Sequence, residues 1–140
     1  MERAPVPWEY AEIVQRYLTP ESHVLDVGTG GGEVFLKLAG YFGQGVGIDR
    51  KPHMIATALE NRSSSLSDRV SFEVMDARNL LFSDSTFDVV LNRHAPIFID
   101  EILRVLCPGG YFITQQVGGR NAQSIFDAFG WGSNELAEDG

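Results

Sequence analysis

The sequence is poor in cysteine, poor in lysine and free of long apolar runs. One cysteine, Cys107, stands among 140 residues, so the chain closes no internal disulfide and fits a reducing compartment. Lysine occurs only at Lys37 and Lys51, and the net charge is −8. A chain of that charge, with no stretch rich in Lys and Arg, repels phosphate backbones, and nucleic acid is a disfavoured partner. No apolar run approaches the length that crosses a bilayer. The opening MERAPVPWEY has no apolar segment of signal-peptide type. These absences lead to the expectation of a cytoplasmic protein that does not enter a membrane. No repeat, low-complexity tract or Cys/His ligand spacing is visible, so no metal is expected.

What is present is ordinary for a globular chain: 44% hydrophobic and 21% charged residues. Residues 1–140 fit a single domain, long enough to bury a core without staples. Within it, 1–22 reads as an N-terminal helical segment. Pro7 suits a first helical turn, and WEYAEIVQRYL (8–18) carries apolar residues at helical spacing. Strands are expected at HVLDVG (23–28), GVGIDR (45–50), VSFEVMDA (70–77), FDVVLN (87–92) and YFITQQV (111–117). Helices are expected at GEVFLKLAGYF (32–42), PHMIATALENR (52–62), PIFIDEILRVL (96–106) and NAQSIFDAF (121–129). Cys107-Pro108-Gly109-Gly110 stops the third of these, and the tail SNELAEDG is polar. Alternating strands and helices imply βαβ units around a parallel sheet.

Gly28, Gly30, Gly31 and Gly32 crowd the end of the first strand. Open α/β sheets bind ligands at that end, and glycine there lets a ligand approach backbone. The dinucleotide fingerprint G-x-G-x-x-G is not met, because its third glycine falls on Glu33. A carboxylate there repels a pyrophosphate and suits a ligand with cationic character.

V-L-D-V-G-T-G-G-G (24–32) resembles the first motif of class I S-adenosylmethionine-dependent methyltransferases. The likeness continues in order through G-V-G-I-D-R, V-M-D-A-R-N-L, S-T-F-D-V-V-L-N-R and L-R-V-L-C-P-G-G-Y-F-I-T, over residues 23–117. Leu81 stands where that family usually has proline, and Cys107 where Lys or Arg is common. The resemblance implies a Rossmann-like, doubly wound three-layer α/β sandwich. Its mainly parallel sheet would have about five strands, in the order 3-2-1-4-5, with helices on both faces. It implies S-adenosylmethionine as cofactor and S-adenosylhomocysteine as product. Gly28, Thr29, Gly30 and Gly32 would lie against the methionine and ribose part, with Asp26 near the ammonium. Asp49 would accept from both ribose hydroxyls, and Arg50 would flank the adenine. Asp76 and the Ala77 N–H would read the adenine edge, Met54 and Leu80 would wall the ring, and Asn92 would stand by the methionine end.

Arg93 and His94 follow the fourth strand, where this fold places substrate-facing groups, and they are the candidate catalytic residues. His94 has the pKa range of a general base. Asp88 reads as structural, and His23 and His53 as peripheral. Trp8, Tyr10 and Tyr17 on the first helix either cover the cofactor or pack on the sheet. No Asn/Asp-Pro-Pro-Tyr/Phe stretch follows the fourth strand, and Cys107 lies far from that position, which counts against methylation of DNA bases. A small-molecule acceptor is the expectation, with RNA and protein still open. Two rivals stand beside it: a cofactor-binding domain that transfers nothing, and a nicotinamide-dependent oxidoreductase. The lost third glycine and the absence of a Tyr-x-x-x-Lys pair count against the second. The family core normally runs on past a fifth strand with two more strands, so a C-terminally truncated domain is expected. Residues 111–117 would then form an exposed edge strand, which invites a homodimer.

Overall fold

The computed structural model describes residues 7–93, 95–118 and 123–131. The strand β1 (His23–Val27) shows why the chain folds in layers. Successive strand side chains point to opposite faces. Val24 joins one hydrophobic cluster, while Leu25 and Val27 join another. β4 (Phe87–Asn92) does the same, with Val89 and Leu91 on one face and Val90 on the other. Strands apolar on both faces belong in the middle of a covered parallel sheet. β1 indeed lies between β2 (Gln44–Asp49) and β4, parallel to both, with Leu25 opposite Val46 and Val90.

The sheet runs β3-β2-β1-β4-β5-β6, where β3 is Val70–Val74, β5 Leu106–Gly118 and β6 Gln123–Trp131. The first five strands are parallel, in the order the resemblance implies. Tyr10 and Val14 of α1 (Pro7–Gln15), Phe35 of α2 (Glu33–Lys37) and Ile55 and Ala58 of α3 (Pro52–Asn61) pack on one face. Ile102 and Val105 of α4 (Ile99–Val105) pack on the other. The three-layer α/β sandwich is therefore present. Tyr17 lies past the end of α1 and stacks on Tyr111, with ring centroids 4.9 Å apart.

Two expectations are corrected at the carboxyl end. In place of the helix expected over 121–129, the described residues Gln123–Trp131 form a strand, antiparallel to β5, with Gly110 opposite Trp131 and Gly118 opposite Gln123. Its Ile, Phe and Trp residues favour strands, and periodicity alone does not separate a short apolar run of either type. The second correction follows from the first. Residues 111–114 are paired on both sides, by β4 and β6, and 115–117 by β6, so the stretch is not the exposed edge of the sheet. The physical basis for a homodimer through that strand is gone.

Two arginines tie loops to this frame. Arg69 donates through Nη1 to the carbonyls of Ala39, Phe42 and Gly43, closing the turn after α2. Arg104 of α4 donates to the carbonyls of Leu80 and Phe82 and pairs with Glu101 and Asp84. Asp88 is structural, as expected: its Oδ2 accepts the His23 N–H at 2.8 Å. No helix among the described residues is long and apolar enough to cross a membrane.

Candidate functional site

The carboxyl ends of β1, β2, β3 and β4 meet around the glycine turn. Gly28 and Thr29 donate their N–H groups to the Ile48 carbonyl, at 2.9 and 2.8 Å, which fastens the turn to β2. Gly30 donates to Oδ2 of Asp49 at 3.0 Å, and Lys51 donates to its Oδ1 at the same distance. The acid that ends β2 is thus aimed by two backbone donors.

The glycines do different jobs. Gly30 has φ +59°, and a Cβ there would meet only Met54 Sδ, at 3.8 Å; its missing side chain leaves a cradle open. A Cβ on Gly28 would sit 2.8 Å from Ala95 Cβ. One on Gly32 would sit 2.9 Å from the Phe72 ring and 3.2 Å from Ala58 Cβ, so Gly32 lets α2 and α3 close on the sheet.

Two cavities open on either side of Gly28 and Gly30. The larger, of about 490 Å³, has apolar walls from Val27, Ile48, Met54, Met75 and Phe98. Asp49, Arg50, Lys51, Asp76, Ala77 and Arg78 supply its polar groups. The smaller, of about 220 Å³, holds Tyr10, Asp26, Thr29, Glu33 and Arg93. Asp26 is buried, and the Thr29 hydroxyl donates to its Oδ2 at 2.7 Å. Burial pushes the Asp26 carboxyl up to about 7; Thr29 and Arg93 oppose the shift, and Asp49 adds to it. Burial, then the Asp26 charge, pushes the Tyr10 phenol well above its ordinary range, against the pull of Arg93.

Most of the expected site residues come together here. Gly28, Gly30, Asp49, Arg50, Met54, Asp76 and Ala77 line the larger cavity, and Asp26, Thr29 and Arg93 the smaller. Three do not reach either. Gly32 serves packing. Leu80 is buried in the core, and its N–H donates to Glu101 at 2.8 Å. Asn92 is buried at the end of β4, where its Nδ2 donates to the Pro96 carbonyl at 3.3 Å; its Oδ1 has no partner among the described residues. His94 lies outside the described residues.

Sequence reasoning missed Arg78, Lys51 and Phe98. Arg78 grips both oxygens of Asp76, with Nη2 to Oδ2 at 2.9 Å and Nε to Oδ1 at 3.2 Å. That hold lowers the Asp76 carboxyl to about 2. Its signal was an arginine two residues past a strand-ending acid. Phe98 had none, because a loop return brings it in.

A glycine turn at the end of the central strand, an aimed acid on the next strand and flanking cavities define a Rossmann-like ligand-binding domain. The chain belongs to the methyltransferase domain family, whose profile matches residues 18–135. It is 32% identical over 120 residues to phosphoethanolamine N-methyltransferase 2 of Caenorhabditis elegans, covering 79% of this chain and 28% of that protein. An archaeal crystal structure, from Methanococcus maripaludis and assigned to the S-adenosyl-L-methionine-dependent methyltransferases, superposes with a TM-score of 0.68 at 26% identity. It covers 77% of this chain and 53% of that one. The cyclase SpnF superposes with a TM-score of 0.71 at 30% identity, covering 77% and 44%. The chain spans less than half the length of several curated relatives it matches.

Proposed function

We propose that this domain holds S-adenosylmethionine across its two cavities and directs methyl transfer to a small-molecule acceptor. The observation that carries this is the Gly30 cradle, which opens between the cavities beside the aimed carboxylate of Asp49. Each Asp49 oxygen accepts one backbone N–H and keeps a further lone pair. That leaves the pair able to take two ribose hydroxyls. Asp76 and the Ala77 N–H would read the adenine edge. Met54, Ile48 and Phe98 would sandwich the ring, with Arg50 set to stack on its face. The smaller cavity suits the amino-acid end, with Asp26 and Glu33 offered to the ammonium.

The cofactor supplies an electrophilic methyl group on a sulfonium; the protein supplies binding and orientation. Good positioning is worth about 7–11 kcal/mol in such reactions, so no conspicuous triad is required. Arg93 is a guanidinium and holds its proton at working pH, so it fits a binding role better than proton transfer. His94 remains the proposed proton acceptor for an acceptor group that must lose one. An acidic chain and a relative named for phosphoethanolamine support a small-molecule acceptor over nucleic acid. The single cysteine, unpaired among the described residues, supports a cytoplasmic location. The likeness to a cyclase supports a second reading, a cofactor-binding domain that transfers no methyl group.

Asp49→Ala tests the site. Hydrogen bonds to a charged group are worth about 1.5–3 kcal/mol each. Calorimetric titration with S-adenosylhomocysteine should show affinity lowered by about tenfold or more, and unchanged affinity would remove Asp49 from the site.

A further inference from the structure

Asp76 and Arg78 both line the larger cavity, and they face it as one unit. The Arg78 backbone N–H reaches Oδ1 of Asp76 at 2.9 Å. Its Nε lies between the two carboxylate oxygens, at 3.2 and 3.3 Å, and its Nη2 reaches Oδ2 at 2.9 Å. A carboxylate has about four lone-pair sites, so these three donors leave one open. A guanidinium carries five N–H donors. Asp76 takes one from Nε and one from Nη2, and among the described residues no other group accepts from Arg78. Both hydrogens of Nη1 and one of Nη2 are therefore available. The two side chains are 66% and 42% exposed, and a pair that exposed adds little to stability.

The unit offers a ligand an acceptor and a set of donors side by side. Arg78 holds the Asp76 carboxyl at about 2, so at neutral pH the carboxylate only accepts. The complementary ligand edge is an N–H group next to a ring nitrogen with a free lone pair. Adenine presents that edge twice, because its amino group has a ring nitrogen on either side, N1 and N7. The Ala77 N–H serves one of them in the reading above. The other is still without a partner, and Arg78, the next residue along, has open donors beside the same carboxylate.

We propose that Arg78, aimed by its grip on Asp76, donates from its open fork to N7 of the adenine and so selects purines that carry this nitrogen. This rests on the reading that an S-adenosyl compound occupies the two cavities, with its adenine in the larger. Asp76 then has two tasks: it accepts from the amino group, and it orients the guanidinium beside it.

The test is calorimetric titration of the full chain with S-adenosylhomocysteine and with its 7-deaza analogue, in which a C–H replaces N7 and the amino group stays. Wild type should prefer the first by about threefold to tenfold. Arg78→Met should bind the two alike. Arg78→Lys, which keeps the charge without the planar fork, should show a smaller preference than wild type, and it carries the test if Arg78→Met does not fold. A wild type that binds both ligands equally leaves the site reading intact and overturns the role of Arg78. So does an Arg78→Met that weakens both ligands by one factor and keeps their ratio, or an Arg78→Lys with the full wild-type preference. A wild type that binds neither ligand overturns the site reading and this inference with it.

Discussion

Two glycine-rich turns sit at opposite ends of the sheet. One, Gly28–Gly32, follows β1; the other, Pro108–Gly110, lies at the amino end of β5. Both contain glycine in the left-handed region, Gly30 at φ +59° and Gly109 at φ +85°. Their surroundings differ. A Cβ on Gly30 would project toward Met54 across the mouth of a cavity, beside a carboxylate aimed by backbone donors. A Cβ on Gly109 would meet nothing within 4 Å. The groove below it contains Glu21 and Asp88, both exposed, and Asp88 already accepts the His23 N–H. A left-handed glycine alone therefore marks a turn. Converging buried charge behind it marks a site.

Substitutions separate the two turns. The largest effect should come from Gly32→Ala, whose Cβ would press on Phe72 and Ala58 at φ +77°. Overpacking and left-handed strain together should lower stability by about 3 kcal/mol in a urea melt. Next comes Asp26→Asn. The folded carboxyl titrates near 7 against an ordinary value of 3.8, so the folded state keeps a proton that the unfolded state releases. Wild type should lose stability relative to Asp26→Asn as pH rises from about 4 to about 7, and stay level above that. A relative stability that rises over the same window would refute the burial of this acid. Gly30→Ala should cost about 1–2 kcal/mol of stability and lower S-adenosylhomocysteine affinity about tenfold or more by filling the cradle. Gly109→Ala should cost about 1 kcal/mol and leave affinity unchanged. If Gly109→Ala weakens binding, or Gly30→Ala spares it, the two turns do not differ as described.

Much of this was legible in the sequence because short-range patterns carried it. FDVVLN marks β4 to the residue, since apolar side chains on both faces bound it. The aimed Asp49 was visible at a strand end. β3 stops at Val74 rather than residue 77 because Asp76 turns the chain: its Oδ1 accepts the Arg78 N–H, and its carbonyl accepts the Asn79 N–H. What could not be read depends on distant partners. Asn92 is buried because the Pro96 carbonyl folds back over it. Arg93 is gripped by a glutamine 22 residues ahead and by a tyrosine on the first helix. The segment 123–131 became a strand because β5 had an unpaired side to fill, which no local periodicity announces.

The two cavities around Gly30 should accept an S-adenosyl ligand and refuse a pyrophosphate. Calorimetric titration with S-adenosylhomocysteine, with NAD as the control, tests it most directly. The geometry predicts saturable binding of S-adenosylhomocysteine and none of NAD. Binding of NAD alone, or of neither, would contradict it.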